Sequence, residues 1–534
     1  MVKTMKVSSK ILLGFMLVMM ICCVSAVSAT DINGTDDITD DIVVDEVSEV
    51  VEDVEIDDVS EDVVSEENLR QTETGTVNGV DYSNYFDTAN GYTTTTNDLT
   101  FSGIFNAKSF GNFKINESIT IDATEATFNN VGFDLLASNI TLIGGTYNID
   151  DSVATHSVIN VTGDYASVTD TVIDVYAPED QDFIAIDIAN STGTLIYDNH
   201  IYYECASANL DNTNYVIRAK NSPYVNITYN EINSVLPFKN VDYWGNRSGM
   251  DMDLVAAIGI EYSDNFTLYF NFLEGYIQNT CTGYPTLDMV IICDSDNGYV
   301  GWNSIDEIDF ITEPDTQSYL YAIDLYRCDN LTVEFNELYL ESDGGTFIPG
   351  TINGTSAAYG IQLTGPYTGV VIKNNTIDTK NNGPNAGIYS QNFAGPTNLT
   401  IINNTINVVG NASFHEWSLV TGMELQDDYA YIEGNTITVT NVGNYTTGHN
   451  AYGISFSQYY LRVPTSFVVV NNTIELTEGH YTVYIQAGGY VNVTDNCLIS
   501  MDACGDGSVY NPGTYIVDNN YCPQCDGVNC TCVH

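Results

Sequence analysis

The sequence predicts an all-β protein built from stacked copies of one supersecondary unit, and three observations lead to this fold class. The phrase Asn-Asn-Thr-Ile recurs at 374–377, 403–406 and 471–474, with Gly-Asn-Thr-Ile at 434–437. Apolar residues stand at fixed distances from the second residue of each phrase. Another apolar stretch precedes each phrase by roughly 10–16 residues. Repetition of this kind is typical of solenoids, in which each unit buries its apolar side against its neighbours.

The first two strands of each unit are predicted from the spacing around the Asn. Apolar residues lie five and three positions before it and two after it, as Val370, Ile372 and Ile377 do around Asn375. Residues two apart in a strand point to the same side, but the three-residue step across the Asn breaks this alternation. We therefore expect a bend at the Asn, a residue that tolerates left-handed backbone geometry and bonds nearby backbone groups.

The same frame recurs along the chain, so the asparagines are expected to stack in one column and bond one another as a ladder. Its predicted members are Asn199, Asn230, Asn271, Asn303, Asn336, Asn375, Asn404, Asn435, Asn472 and Asn496, with Asn519 as a weaker fit. Thr171, Gly145 and Thr124 stand in the Asn place of the first turns.

A third strand per unit is predicted from stretches such as Tyr-Gly-Ile-Gln-Leu at 359–363 and Tyr-Gly-Ile-Ser-Phe at 452–456. These stretches and the ladder asparagines resemble the right-handed parallel β-helix repeat family, across roughly residues 95–521. The resemblance implies a right-handed, single-stranded parallel β-helix with an Asn ladder. A β-propeller or sandwich is the rival, but either needs antiparallel hairpins with Asn-Gly turns.

Four segments are predicted along the chain. Residues 1–29 are typical of a signal peptide: Lys3, Lys6 and Lys10 precede an apolar stretch at 11–24, and small residues follow at 27–29. An uncleaved anchor is the alternative. The acidic segment 30–75 predicts a disordered spacer, because its charge density opposes burial. Residues 76–521 are assigned to the β-helix and 522–534 to a Cys-rich tail or cap.

Composition restricts the partners. The chain of 534 residues carries 14 Lys and Arg against 71 Asp and Glu, a formal net charge of −57. Such a surface repels nucleic acid and anionic membranes. No stretch after the signal is long and apolar enough for a membrane span, so we expect a secreted or cell-surface protein. Many Asn-x-Ser/Thr sequons, such as those at Asn139, Asn265 and Asn492, favour a glycoprotein.

The candidate binding site is the insertion at 234–254, where the repeat is unusually long. Its residues are Lys239, Tyr243, Trp244, Arg247, Asp251 and Asp253. The two aromatic rings offer flat apolar faces to a sugar, and the two cations offer charge to a uronate or sialate. Asp251 with Asp253, or Asp427 with Asp428, would supply the paired carboxylates of a glycoside hydrolase. A solvated loop carrying a sequon at Asn246 is the alternative interpretation.

Metal and cysteine chemistry is less specific. Asp294-Ser-Asp-Asn-Gly298 is similar to the start of a calcium loop but lacks the closing Glu, so Ca²⁺ is a candidate ligand only. After the signal there are ten cysteines, an even number that favours disulfides in a secreted chain. The candidates are Cys497, Cys504, Cys522, Cys525, Cys530 and Cys532. A zinc site formed by the last four is the alternative.

The combination of signal, acidic spacer and Asn- and Thr-rich β-helix resembles the adhesin-like surface proteins of methanogenic archaea. That resemblance implies a non-catalytic protein that contacts glycans or surface proteins of host or neighbouring cells. The chain departs from many of those proteins, because it shows no Ig-like or wall-binding module and no C-terminal anchor. The alternative function is a polysaccharide lyase, hydrolase or epimerase of the pectate-lyase-like β-helix type.

Overall fold

The structure is a computed structural model that describes most of residues 75–522. The described residues are 75–79, 81–150, 155–177, 182–205, 214–237, 239–240, 255–278, 285–309, 319–342, 357–381, 383, 385–391, 396–411, 419–442, 451–456, 466–479, 481–486, 490–500, 503–510 and 515–522. The predicted signal peptide and nearly all of the predicted spacer and tail lie outside these ranges.

The chain forms a right-handed parallel β-helix with three faces, and a typical coil supplies one strand to each face. Within a coil the chain passes through face 1, then face 2, then a turn that contains the ladder Asn, then face 3. Neighbouring strands on every face pair in parallel with the next coil. The prediction of fold class is therefore confirmed.

Face 1 is a sheet of its own. Its strands are Phe113–Ile115, Phe133–Leu135, Ser157–Val161, Phe183–Ala189, Asn214–Lys220, Val255–Glu261, Pro285–Cys293, Tyr319–Tyr326, Ala357–Thr364, Asn385–Gln391, Val420–Leu425, Ala451–Phe456, Tyr481–Ile485 and Val509–Tyr510. The short strand Lys239–Asn240 pairs with its neighbour Pro285–Cys293 and is antiparallel.

Faces 2 and 3 belong to one continuous sheet, because the long strands Leu99–Asn106 and Thr120–Asn129 run through both. Face 2 has Gly75–Asn78, Thr141–Ile143, Ser167–Thr169, Leu195–Tyr197, Asn226–Thr228, Thr267–Tyr269, Tyr299–Gly301, Thr332–Glu334, Tyr367–Lys373, Thr397–Ile402, Tyr429–Glu433, Ser466–Val470, Tyr490–Thr494 and Ile516–Asp518. Face 3 has Thr146–Ile149, Val172–Ala177, His200–Cys205, Glu231–Pro237, Phe272–Gln278, Ser304–Asp309, Glu337–Ser342, Thr376–Asn381, Thr405–Gly410, Thr436–Asn441, Thr473–Thr477 and Cys497–Ile499.

Helical structure is almost absent from the described residues. They contain two short 3-10 turns, Tyr82–Asn84 and Gly505–Ser508. Neither these turns nor any other described segment forms a helix long and apolar enough to cross a bilayer.

The core fills the interior of the helix, as the apolar frame predicts. Val370, Ile372 and Ile377 are each at most 1% exposed, and the equivalent residues of the other coils are buried in the same way. The first coils replace aliphatic residues with rings, and Phe101 packs edge-on against Phe133 with 5.3 Å between their centroids. Burial of this continuous apolar column stabilises the stack, since a single coil has no closed core of its own.

The Asn ladder runs through the interior at the corner between faces 2 and 3. Each Nδ2 donates to Oδ1 of the next Asn, over 2.8–3.0 Å from Asn199 through to Asn520. Each Nδ2 also donates to backbone carbonyls, as Asn336 does to Val300 over 3.0 Å. The ladder thus satisfies buried polar groups that the turn removes from the sheet.

The two ends of the ladder are closed by other side chains. Thr171 donates its hydroxyl to Oδ1 of Asn199 over 2.7 Å. At the far end, Nδ2 of Asn520 donates to Oδ1 of Asp506 over 2.7 Å. The prediction that Asn519 belongs to the ladder is wrong by one residue. Asn519 has a φ of 58° and directly precedes the buried Asn520.

In the repeated phrase, too, the residue with left-handed backbone directly precedes the ladder Asn. The prediction that the second Asn itself adopts the left-handed conformation is therefore wrong. The left-handed residue is the first of the phrase: φ is 57° at Asn374, 55° at Asn403 and 56° at Asn471. The second Asn lies inside as a ladder member, and Ile377 then enters the core. Gly434 replaces the first Asn with the residue that adopts positive φ most readily.

A second, shorter ladder occupies the corner between faces 1 and 2. The backbone N–H of Ser222 donates to Oγ of Ser263 over 2.8 Å, and that of Ser263 donates to Oγ of Ser295 over 2.9 Å. Cys328 follows in the next coil, with its Sγ 3.4 Å from the carbonyl oxygen of Ile292. The hydroxyl groups satisfy the backbone of this tight corner as the amides do at the other.

Candidate functional site: an exposed aromatic ridge

Four consecutive coils place an aromatic residue immediately before the ladder Asn. These residues are Tyr229, Phe270, Trp302 and Phe335, and we call them the aromatic ridge. They lie on the outside of the corner between faces 2 and 3. In the coils before and after, Asp198 and Asn374 hold the same position. The ridge therefore has defined ends within a long and otherwise polar corner.

The rings of the ridge overlap along the helix axis. Their centroids lie 5.0 Å apart for Tyr229 and Phe270, 5.6 Å for Phe270 and Trp302, and 4.5 Å for Trp302 and Phe335. Tyr229 is nevertheless 48% exposed, Trp302 42% and Phe335 38%. The ridge is thus one continuous apolar surface facing solvent. Contiguous exposed apolar surface of this kind marks interaction sites on soluble proteins.

The backbone under the ridge has a conformation that bulky residues avoid. The φ angles are 57° at Tyr229, 52° at Phe270, 56° at Trp302 and 57° at Phe335. A bulky residue in this region is an outlier, and each such residue costs about 1–3 kcal/mol. Other coils meet the same requirement with Asn, Asp or Gly. Four adjacent exceptions carry strain that helix formation does not need, and strain of this kind concentrates at ligand-binding sites.

Two tyrosines on face 2 widen the apolar surface beside the ridge. Tyr269 lies with its ring centroid 4.2 Å from that of Phe270. Tyr299 occupies the space above Gly301, where an added Cβ would lie 2.4 Å from the Tyr299 hydroxyl. Any larger residue at 301 would displace this ring. Burial, together with the charge of Glu334 and a hydrogen bond to it, raises the pKa of Tyr299, so the hydroxyl stays protonated and is engaged by Glu334.

The charged groups beside the ridge are mostly carboxylates. Glu334 forms an ion pair with Lys373 over 2.9 Å, and Glu231 contacts Nδ1 of His200 over 2.9 Å. Glu337 begins the face 3 strand that follows Phe335 by two residues. The ridge therefore combines an apolar strip with flanking hydrogen-bond acceptors.

The predicted binding insertion is described only in part. Lys239 lies in the two-residue strand that pairs with Thr286 and Pro285 of face 1. Tyr243, Trp244, Arg247, Asp251 and Asp253 lie outside the described residues, so the prediction of a site at 234–254 remains a prediction.

The carboxylate pair Asp427 and Asp428 has partners within the fold. Asp427 is fully buried, and it accepts 2.5 Å hydrogen bonds from the hydroxyls of Tyr367 and Ser390. Asp428 receives the backbone N–H of Thr397 over 3.3 Å and donates its own N–H to the Thr397 hydroxyl over 2.7 Å. This pair joins neighbouring coils at the corner between faces 1 and 2.

The predicted calcium segment forms the same corner turn in an earlier coil. Oδ2 of Asp294 lies 2.5 Å from Nη2 of Arg327, and Oδ1 of Asp296 accepts the backbone N–H of Asp329 over 2.8 Å. Across the described part of the chain, no three His, Cys, Asp or Glu side chains converge as a metal site.

Two cations on face 1 are paired with neighbouring carboxylates. Nε and Nη2 of Arg218 contact the two carboxylate oxygens of Asp187, each over 3.0 Å. Nζ of Lys220 lies 3.3 Å from Glu261. Both ion pairs join neighbouring coils on this face.

The predicted C-terminal cysteines converge in part. Cys504 and Cys522 form a small buried cluster against Ile499. Cys497 lies nearby, because its backbone forms a parallel β-bridge with Tyr521, the residue before Cys522. Cys525, Cys530 and Cys532 lie outside the described residues. Disulfide formation and the zinc alternative both stay predictions.

Sequence reasoning missed the ridge because it treated the residue before each ladder Asn as an unspecified turn position. The signal was nevertheless present: aromatic residues stand there at 229, 270, 302 and 335, and Asp, Asn or Gly stands there in most other coils. A positive-φ position occupied four times in succession by bulky rings would have indicated a functional surface.

Comparison with known proteins supports no family assignment. No family model matches the chain, and no curated protein sequence matches it. Among solved structures it is similar to the Dettilon tailspike protein, with 12% identity, 80% of this chain and 68% of the tailspike covered, and a TM-score of 0.37. The catalytic domain of a GH87 alpha-1,3-glucanase gives 13% identity, 67% and 61% coverage, and a TM-score of 0.33.

A periplasmic alginate epimerase is a third structure of this kind, with 11% identity, 79% and 83% coverage, and a TM-score of 0.28. At such identities and TM-scores these likenesses carry no argument about function. The function has to be argued from the ridge itself.

Proposed function

We propose that the chain is a non-catalytic, adhesin-like protein, secreted or held at the cell surface, that contacts glycans through the aromatic ridge. The observation that carries this proposal is the exposed row of four rings on strained backbone. Aromatic side chains provide a large apolar area with little conformational entropy to lose on binding. The CH-rich faces of pyranose rings are suitable partners for such a surface.

The flanking groups support a hydroxyl-rich ligand. Carboxylates such as Glu231 and Glu337 are acceptors for the hydroxyls of a ligand. A contact that combines apolar and charge-assisted polar parts orients its ligand as well as holding it. The ridge therefore offers both parts of a sugar-binding surface.

The alternative is a polysaccharide lyase, hydrolase or epimerase, which needs an acid and a base held together at the substrate. Asp427 does not meet this need, because it is fully buried and holds neighbouring coils together. The described residues around the ridge include carboxylates on both sides, but binding is the function that the exposed rings favour.

The experiment is a glycan-array screen of the mature protein beside the double variant Trp302→Asn/Phe335→Asn, with all proteins produced without glycosylation because Trp302→Asn creates a sequon with Ser304. Asn occupies the same backbone position in later coils, so the variant keeps the local geometry. Tyr490→Thr is the matched control, because Tyr490 is 50% exposed on face 2 and lies outside the ridge. We expect glycan binding by wild type and control and its loss in the double variant.

Equal binding by all three proteins would contradict the role of the ridge. Each bound polysaccharide is also incubated with the protein, and its products are separated by size. Shortened or unsaturated products from the wild type would favour the enzymatic alternative.

A further inference from the structure

We propose that the ridge binds a neutral, linear polysaccharide whose chain runs parallel to the axis of the β-helix. This inference rests on the proposed function and adds the class of ligand and its direction. Three features of the ridge lead to it: its repeat, its length and the charges beside it.

The repeat of the ridge follows the coil. Successive strands of a sheet are about 4.8 Å apart, so equivalent side chains recur at that interval along the axis. The measured centroid separations of 4.5, 5.0 and 5.6 Å agree with this interval. An extended glycan repeats its pyranose unit over a comparable length. The rings stack on one another with interplanar angles of 24°, 35° and 24°, so each ring turns an edge and the uncovered part of its face outward. A chain lying along the axis can therefore place successive sugars against the exposed parts of successive rings.

The length of the ridge sets the size of the bound segment. It starts after Asp198 and ends before Asn374, so four coils present a ring to the ligand. Phe272, which is 39% exposed on face 3, and Tyr269 broaden the strip at its Phe270 position. The binding surface should hold a segment of about four sugars, with the rest of a longer chain in solvent.

The charges beside the ridge disfavour an anionic ligand. In the coils that carry the ridge, the described side chains next to it include the carboxylates of Glu231, Glu334 and Glu337. The nearby basic side chains of Lys373 and His200 are each already in contact with one of these carboxylates. The whole chain has a formal net charge of −57. A uronate, sulfate or sialate would thus meet repulsion, whereas neutral hydroxyls find acceptors.

The same charge argument disfavours a second copy of this chain on the ridge. Two strongly acidic surfaces repel each other, and no basic strip beside the ridge compensates among the described residues. A neutral glycan avoids that repulsion.

The test is calorimetric titration of the unglycosylated mature protein with neutral oligosaccharides from the disaccharide to the octasaccharide. The panel contains β-1,4 and β-1,3 glucans, β-1,4 mannans and α-1,4 glucans, with oligogalacturonates of equal length beside them. For at least one neutral series we expect affinity to rise up to the tetra- or pentasaccharide and then to level off. Oligogalacturonates should bind at least about tenfold more weakly.

Variants separate this inference from the proposed function. Trp302→Asn should weaken binding of the long neutral oligosaccharides by about tenfold or more, and Tyr490→Thr should leave it unchanged. If oligogalacturonates bind more tightly than every neutral series, and Trp302→Asn still abolishes binding, the neutral class is wrong and the glycan-binding ridge stands. Affinity independent of length would refute the axial alignment. Binding that ignores Trp302→Asn would refute the ridge itself.

Discussion

The hydroxyl of Tyr367 donates a 2.5 Å hydrogen bond to Oδ1 of Asp427, and both side chains are buried at the corner between faces 1 and 2. Tyr367 and Asp427 are sixty positions apart, two coils along the helix. A carboxylate therefore joins three successive coils, because Ser390 of the intermediate coil donates to its other oxygen. Burial removes this carboxyl group from water, so its titration contributes to the pH dependence of stability.

The free energy of unfolding should fall as the pH rises through the pKa of Asp427. Burial, opposed in part by the bonds from Ser390 and Tyr367, raises the pKa of Asp427 from 3.8 to about 6. The folded state then keeps a proton that the unfolded state loses. The stabilisation is complete below about pH 4 and is lost as pH rises through 6, a change of about 3 kcal/mol.

Urea unfolding at pH 4 and at pH 7, for wild type and for Asp427→Asn, measures this contribution. The variant should lack this part of the pH dependence, because its amide does not titrate. Other carboxyls change equally in both proteins, so the difference between them is the informative quantity. Parallel curves for the two proteins would show that Asp427 does not titrate as described.

The ladder and turn residues of one phrase should differ sharply in their contribution to stability. Oδ1 of Asn375 accepts the backbone N–H and Nδ2 of Asn336, each over 2.9 Å. In Asn375→Leu these buried donors lose their acceptor, and we expect a loss of about 3–5 kcal/mol in the free energy of unfolding. Asn374→Gly is the matched control, with a change below about 1 kcal/mol, because Gly434 holds that position naturally. Chemical denaturation of unglycosylated protein provides the comparison, and equal losses would rule out the internal ladder.

Removing the ridge rings should change the free energy of unfolding only modestly. In Trp302→Asn/Phe335→Asn the loss of ring stacking costs about 0.5–1.5 kcal/mol per pair, and the release of backbone strain offsets it by a similar amount. We expect a net change within about 2 kcal/mol, measured by thermal and denaturant unfolding. A much larger loss would mean that the rings serve the fold, and binding data on this variant would then be uninformative.

The C-terminal cysteines should be oxidised in secreted protein. Cys497, Cys504 and Cys522 lie close together, and small closing segments of secreted proteins are often cross-linked. We expect at least one disulfide among these three and Cys525, detected by peptide mass mapping without reduction. Reduction should lower the melting temperature, because a disulfide restricts the unfolded chain. Fully alkylatable thiols, or stoichiometric zinc in the purified protein, would contradict this.

The repeat frame was sufficient for the fold because the same constraint is written in every coil. Val225, Ile227 and Ile232 mark the inner side of one coil, and their equivalents repeat it throughout. The same frame predicts the ladder with an error of one residue at its end. Asn519 and Asn520 are adjacent there, and the backbone angles distinguish the turn residue from the ladder residue. Asp506, which closes the ladder, is out of frame and could not be found by periodicity.

The site was harder to predict, because surface residues are not constrained by the repeat. The long insertion at 234–254 contains Trp244 and Arg247, whose residue types suit a sugar site. The ridge depends instead on a combination of register and φ: Trp302 and Phe335 are 33 positions apart in the sequence and contact each other only in the stacked helix. Such contacts become visible once the coils are aligned in space.

Tryptophan fluorescence tests the central claim directly, because the chain has only three tryptophans, Trp244, Trp302 and Trp417. Trp244→Phe/Trp417→Phe leaves Trp302 as the one reporter on the ridge, and Trp302→Phe/Trp417→Phe leaves Trp244 in the insertion at 234–254. Each is titrated with a neutral oligosaccharide that the wild type binds. We predict a saturable change in the emission of Trp302, with the wild-type affinity, and no change in that of Trp244. A saturable change in Trp244 with a constant Trp302 signal would contradict the account and place the site in the insertion.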